Sequence, residues 1–455
     1  MTLTTMLLGI GLFAILFSFV VVFALKKHES VWMTFVQSYV GMLFLFSGAV
    51  KAIDPLGTAY KIEQYFGEFE GAFEASWMSF LAPLFPWLNN YAVSFSVGMI
   101  VFEIVLGLLI LLGIYRKFSG WSFFLLVLAF TFMTGFTYLT GYVGDDATFF
   151  NFSSWGPYVK TNMKVTDCGC FGDFLKLEPK VSFLKDVILL IPGFLFLFYR
   201  KKMHSLIKAK PSLIITAIAT IGTLIYCFSN YVWDIPHIDF RPFAEQVDIK
   251  ERRNIEQDAQ AQVQVTGFLM ENKKDPTKKM EVSVAEYSTY SEEWSVAEQI
   301  RTEPTLKPTK ISEFDLSDVD GNDATYEVLD NEGKAVVIVA YKLKGKSEVN
   351  TISSIDTIVV VDQTSGEEQV SYVNSDKKVV DFIAESSYSA KYLSKMVPFA
   401  NEAKKAGYNI YFLCAGASAE EIQDFTKDVG LDAMILTGDD ILMKTIVRSN
   451  PGVLM

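Results

Sequence analysis

The chain is poor in the residues that build metal centres and disulfide frameworks. Its 455 residues include four cysteines and three histidines. Two of the cysteines, Cys168 and Cys170, sit together in "TDCGCFGDF", but zinc would need two more ligands there. No Cys-x-x-Cys pair occurs anywhere in the chain. Positive charge is also in deficit, with 40 Lys and Arg against 52 Asp and Glu. A net charge of −12 argues against a nucleic-acid partner. The stretch "DVDGND" at 318–323 looks calcium-like but lacks the spacing and the later glutamate of an EF-hand loop, so it reads as a turn.

Apolar residues, by contrast, are abundant. Half of the chain (51%) is hydrophobic and Phe occurs 38 times. Charge is unevenly spread: residues 1–233 carry 16 basic and 13 acidic side chains, a net of +3, and the remainder carries 24 and 39, a net of −15. The break divides an apolar first half from an acidic, water-facing second half. A membrane helix needs roughly 20 mostly apolar residues. Six stretches approach that length: Leu3–Leu25, Phe35–Ile53, Tyr91–Ile114, Trp121–Val143, Phe183–Tyr199 and Leu213–Trp233. The first has no basic residue before it and no small-residue cleavage site after it, so it reads as an uncleaved helix.

Basic residues set the direction of insertion. Lys26 and Lys27, Arg116 and Lys117, and the run Arg200 to Lys202 with Lys208 and Lys210 fall in alternate short loops. Placing those loops in the cytoplasm puts the N-terminus, residues 54–90, residues 144–182 and everything after Trp233 outside. The expectation is a multi-pass protein of a bacterial inner membrane with a periplasmic C-terminal domain. The Cys168–Cys170 segment then lies where disulfides persist. His28 and His204 fall on the cytoplasmic side, which leaves only His237 on the cysteines' side. Loop 54–90, with Trp77, Phe80, Phe85 and Trp87, reads as a segment at the lipid–water interface or a lid over the bundle.

The second half reads as α/β. After a polar exit segment, residues 261–287 alternate around a Lys-Asp-Pro turn and predict a β-hairpin. Residues 289–312 read as loop. From 314 the pattern is a short strand, a turn, a helix start and a buried strand at Ala335–Leu343. An insertion over 344–380 follows, carrying a strand at Thr357–Asp362. Helix, strand, capped helix and helix then lead through Asn450-Pro451 into a final strand. This order resembles a thioredoxin-like domain, with Pro451 in "SNPGVLM" at the position of that family's active-site proline. The pattern is incomplete, and "LKGKSEVN" stands where the Cys-x-x-Cys belongs. Cys414, inside a strand, reads as a packed core thiol.

Residues 33–200 resemble the DoxX family and, within it, the MauE branch. The resemblance rests on "YVGMLFLFSGAVKAIDPLG", "FEIVLGLLILLGIYRK" and "CGCFGDF". With "PHIDFRPF" after the last span, the layout is similar to the long DoxX-family proteins of Bacteroidota-type bacteria. The resemblance implies an all-α membrane bundle of about six helices around a four-helix core, followed by an extracytoplasmic thioredoxin-like domain. The implied divisions are an extra helix at 1–32, the core at 33–200, a sixth span at 201–233, a linker with hairpin at 234–312, and the α/β domain at 313–455. MauE is associated with disulfide maturation of methylamine dehydrogenase beside the thioredoxin-like MauD, and other DoxX relatives act with quinones. A quinone is therefore the implied cofactor, with no covalently bound group and no metal.

Residue chemistry allows a redox reading and a bland one. Two cysteines around one glycine can close a small ring, and strained disulfides tend to be more oxidising. The same pair could be a static bridge or two unrelated thiols. Glu103, inside a span, is either a proton acceptor or a polar tie between helices. Lys51 and Asp54, at the outer end of the second span, form either a surface ion pair or a contact for an anion or quinone ring. Cys227, in the last span, reads as a packed or lipid-facing thiol within reach of the outer leaflet. Two functions follow. In one, Cys168, Cys170 and Glu103 are catalytic in a thiol–disulfide oxidoreductase, Lys51 and Asp54 bind the cofactor, and an extracytoplasmic protein is the client. In the other, the bundle is a non-enzymatic anchor or scaffold whose degenerate domain binds an envelope partner.

Overall fold

The computed structural model describes residues 2–144, 147–165, 169–275, 278–361 and 368–447, with side chains at 209 and 349–380 outside the description. It divides into two units, the first running to Arg241 and the second from Pro242 to Val447.

The first unit is helical. Six helices are long and apolar enough to cross a membrane. They are α1 (Leu3–Phe19, extended by a π-turn to Ala24), α2 (Val31–Ile53), α5 (Ala92–Leu112), α6 (Arg116–Leu139), α7 (Pro179–Phe198) and α8 (Ala209–Phe228, with a π-turn to Trp233). Between α2 and α5 lie α3 (Pro55–Glu74) and the short α4 (Leu84–Asn89). The sequence pattern predicts a loop over 54–90, but 20 of its residues, Pro55–Glu74, form α3. Asp54 caps that helix by accepting from Gly57 N–H at 3.1 Å, and Pro55 suits the first turn. Thr58, Ile62, Tyr65 and Phe69 recur at helical spacing and are buried. The exposed aromatics Trp77, Phe80 and Trp87 follow α3, Trp77 in a turn and the other two in short helical segments.

Helices α2 and α5 pack at close range. A Cβ at Gly41 would meet Leu111 N at 2.8 Å and Gly107 O at 2.9 Å, and a Cβ at Gly107 would meet Leu45 N at 2.9 Å. Without hydration to drive association between spans, such small residues let backbones approach and gain dispersion contacts. Around this seam Leu43, Phe44, Leu106, Ile110, Phe123, Val127, Leu189 and Phe196 form the core. At one end of the bundle Gln37 ties α2 to α5 and to the α7–α8 loop. It donates to Ile110 O at 2.7 Å and accepts from His204 N–H at 2.9 Å. The opposite end carries the α2–α3 junction, the start of α5, the end of α6 and the start of α7.

The second unit holds three sheets among the described residues. Strand β1 (Val265–Asn272) pairs antiparallel with β2 (Lys279–Ser283), as the hairpin reading predicted. It also pairs with β3 (Trp294–Arg301), which falls inside the stretch read as loop. The main sheet has the order β4 (Leu316–Ser317), β9 (Met434–Gly438), β8 (Asn409–Cys414), β5 (Ala335–Ala340), with β5, β8 and β9 parallel. The sequence reading missed β9. The insertion is a long antiparallel hairpin of β6 (Gly345–Val361) and β7 (Glu368–Ala384), two strands where one was expected. The remaining helices are α9 (Ile249–Ala261), α10 (Tyr287–Tyr290), α11 (Thr325–Leu329), α12 (Ser386–Lys391), α13 (Val397–Lys405), α14 (Ala419–Val429) and α15 (Asp440–Ile446). Asp248 caps α9, in a segment read as polar linker, by accepting from Glu251 N–H at 2.8 Å. Cys414 is fully buried with Phe412, Tyr392 and Phe425, and burial pushes its thiol up to about 12. Pro451 and the strand expected after it lie outside the described residues.

Candidate functional site

The site is a partly open pocket inside the first unit, walled by α2, α3, α5, α6, α7 and the loop before α7. Its lining is mostly apolar, with Phe44, Ile62, Met99, Phe130, Phe171 and Leu189 among the walls. Into it project Lys51, Lys61, Glu103, Lys185, Asp186 and Cys170. Charged side chains inside a predominantly apolar bundle are costly and mark functional sites unless they are merely structural ties.

The geometry of the site starts at the α2–α5 seam. Its close contact at Gly41 and Gly107 fixes the register that brings Lys51 and Glu103 together. Lys51 Nζ donates to Glu103 Oε2 at 2.7 Å, with the two side chains 4% and 2% exposed. The ammonium also lies 5.3 Å from the ring centre of Phe130 on α6. Across the cavity, Asp186 on α7 accepts from Thr134 on α6 at 3.0 Å and pairs with Lys185. Lys61 on α3 donates to Gln64 at 3.1 Å. Tyr65 and Thr137, on α3 and α6, share a hydrogen bond of 2.9 Å.

The cysteine loop closes one side. Gly169 has φ +60° and Gly172 φ +53°, a region that L side chains avoid, and Gly172 N–H donates to Gly169 O at 3.1 Å. Ser47 on α2 donates to the carbonyl of Cys170 at 2.8 Å. Phe171 is buried in the bundle core. Cys170 thus lies on the same cavity as the Lys51–Glu103 pair. Cys168 lies outside the described residues.

Lys51 and Asp54 do not form the surface ion pair that was one reading of them. Lys51 points into the bundle towards Glu103. Asp54 is absent from the cavity wall and binds Arg241, accepting from Nε at 2.6 Å and from a terminal nitrogen at 2.7 Å. Helix α2 ends between the two residues, so they leave it in different directions. Burial opposes the charge of Arg241, but Asp54 and Asp173 outweigh it and raise its pKa further. Cys227 is buried among Ala52, Leu56, Ile100 and Tyr231, apart from the core cluster against which Cys170 packs, and is a thiol rather than half of a disulfide. The described residues contain no group of three His, Cys, Asp or Glu side chains placed for a metal ion.

Residues 27–145 match the family model described as methylamine utilisation protein MauE. That stretch supplies α2, α3, α5 and α6, four of the cavity's walls. The cysteine loop and α7 lie beyond the matched residues. No curated protein and no solved structure matches the chain. The six apolar helices make this a multi-pass membrane protein, similar to MauE over residues 27–145.

Sequence reasoning missed Lys61, Lys185 and Asp186. The signal for Lys61 was the helical spacing of Thr58, Ile62 and Tyr65, hidden once the segment was read as loop. Asp186 carried the same kind of signal as Glu103, an ionisable residue within an apolar run.

Proposed function

We propose that this protein is a thiol–disulfide redox component of a bacterial inner membrane, passing electrons from an extracytoplasmic dithiol client to the quinone pool. What supports the reading is the meeting of Cys170 with the buried Lys51–Glu103 pair and the partly buried Lys185–Asp186 pair on one apolar cavity. The client's thiolate would attack the Cys168–Cys170 disulfide, form a mixed disulfide, and leave as its own disulfide, with the two cysteines reduced to thiols. Re-oxidation of the pair releases two electrons and two protons. A quinone, when bound, supplies the sink for both. The cavity suits such a group, because its apolar walls accept a flat ring and its charged pairs can meet polar oxygens. Lys51 would donate a hydrogen bond to an oxygen, and Glu103 would hold a proton beside it. The surrounding phenyl and aliphatic walls would keep water out. Cys168, Cys170 and Glu103 are the proposed catalytic residues, with Lys51 as cofactor contact.

The alternating basic loops support an orientation with the cysteine loop and the second unit outside. A thioredoxin-like reading of the second unit rests on its parallel β5, β8 and β9 and the sequence pattern. With Cys414 sealed in the core, that unit would recruit the client rather than exchange thiols. Thiol trapping in intact membranes tests the proposal. Cys168 and Cys170 should be oxidised with a quinone pool present and accumulate reduced when it is depleted. Cysteines that stay alkylatable under both conditions, with client disulfides unchanged in the double Cys→Ser variant, would refute it.

A further inference from the structure

The segment after α8 returns to the bundle and ends on Arg241. Its side chain is 1% exposed and forks onto Asp54 through two hydrogen bonds of 2.6 and 2.7 Å. The same guanidinium lies 3.6 Å from Asp173, in the cysteine loop, and 5.8 Å from the ring centre of Tyr60 on α3. The residue before it, Phe240, packs edge-on against Phe174 of the same loop at 5.2 Å, and Phe174 packs against Phe46 of α2 at 5.7 Å. Asp54 is also the N-cap of α3, the helix that carries Lys61. The stem of Lys61 lies directly beneath the cysteine loop: a Cβ added at Gly169 would come within 3.2 Å of its Cγ.

We infer that Arg241 is the positioning residue of the cysteine loop, one guanidinium holding the loop through Asp173 and the helix beneath it through Asp54. The inference rests on the redox reading only for its consequence, which is that the fork sets how Cys170 is presented. A surface ion pair would contribute little, but this one is buried, and it joins segments separated by 187 positions in the chain. Lysine is a poor substitute because an ammonium is a point donor, whereas the planar fork can bind Asp54 with two nitrogens and still lie beside Asp173. Tyr60 covers the guanidinium face, which an ammonium would use less well.

The test is site-resolved alkylation of Cys170 in the full chain in native membranes, after reduction, with N-ethylmaleimide and peptide mass spectrometry. The variants are Arg241→Ala, Arg241→Lys and Asp173→Asn, and Cys227 serves as the internal reporter of bundle packing. Alkylation of Cys170 should quicken about tenfold in Arg241→Ala and severalfold in the other two, with Cys227 still protected. The Cys168–Cys170 pair should also shift its equilibrium with glutathione by about tenfold, equal to about 30 mV. The inference is overturned if Cys170 in Arg241→Ala reacts within about twofold of the parent while Cys227 stays protected. It is equally overturned if Cys170 and Cys227 become reactive together in all three variants, which would mean general loosening. Alkylation needs no client, acceptor or turnover, so its outcome stands whether or not the redox role does.

Discussion

Replacing Lys51 by Met leaves the apolar stem roughly in place and removes the ammonium that neutralises Glu103. The carboxylate would remain 2% exposed, with its partner at 2.7 Å gone. Breaking a buried pair from one side costs about 3–5 kcal/mol, because the surviving charge has neither water nor a counterion. The contact with Phe130 adds about 0.5–2 kcal/mol to what Lys51 contributes. Removing both charges, in Lys51→Met with Glu103→Leu, should recover most of the loss, since a well-packed apolar pair is often neutral or stabilising by about 1–4 kcal/mol. Equilibrium unfolding in mixed micelles, followed by tryptophan fluorescence, gives the four corners of the cycle. Strong coupling between the two sites is the expected outcome. If each single variant costs under about 1 kcal/mol and the double variant is simply additive, the pair does not hold α2 to α5 and the geometry of the cavity is misread.

Four further outcomes follow from the same structure. Gly107→Leu should destabilise the bundle by at least about 1–3 kcal/mol, because even a Cβ meets Leu45 N at 2.9 Å, and the loss should appear as reduced folded yield in detergent. Cys414, its thiol pushed up to about 12 by burial, should resist alkylation at neutral pH and react only when the second unit is unfolded by denaturant. Glu421 caps α14 with Ser418 and accepts from Ser347, bonds that hold its carboxyl below the ordinary 4.5. A folded-state pKa below the unfolded one contributes stability above about pH 4.5 that is lost as pH falls, so Glu421→Gln should flatten the acid limb of the second unit's unfolding profile. Ser418→Ala should cost about 1 kcal/mol in the same assay through the lost cap.

Much of the architecture was legible because it depends on local patterns. The six spans could be read from runs of apolar side chains, and the hairpin of β1 and β2 from alternation around a turn. Cys414 could be placed in the core from its strand. Errors arose where local polarity competed with tertiary burial. Residues 55–74 carry enough charge to read as loop, yet one face packs on α5 and the charges line the other side or the cavity. Strands β3 and β9 escaped because β3 is mostly exposed and β9 is only five residues long.

The amino-acid order by itself determined that the chain has an apolar helical half and an acidic α/β half. The cost of placing each segment in hydrocarbon or water is nearly additive along the sequence. It also supplied glycines at 169 and 172, the two positions where the structure turns left-handed around Cys170. Only the tertiary structure decided which charges meet. Lys51 could have paired with Asp54, three residues away, but pairs with Glu103, 52 positions distant, and Asp54 takes Arg241 instead. A charge buried in a bundle must find its partner among whatever side chains the helix packing brings within reach. That packing follows from the close seam at Gly41 and Gly107, which no local pattern specifies.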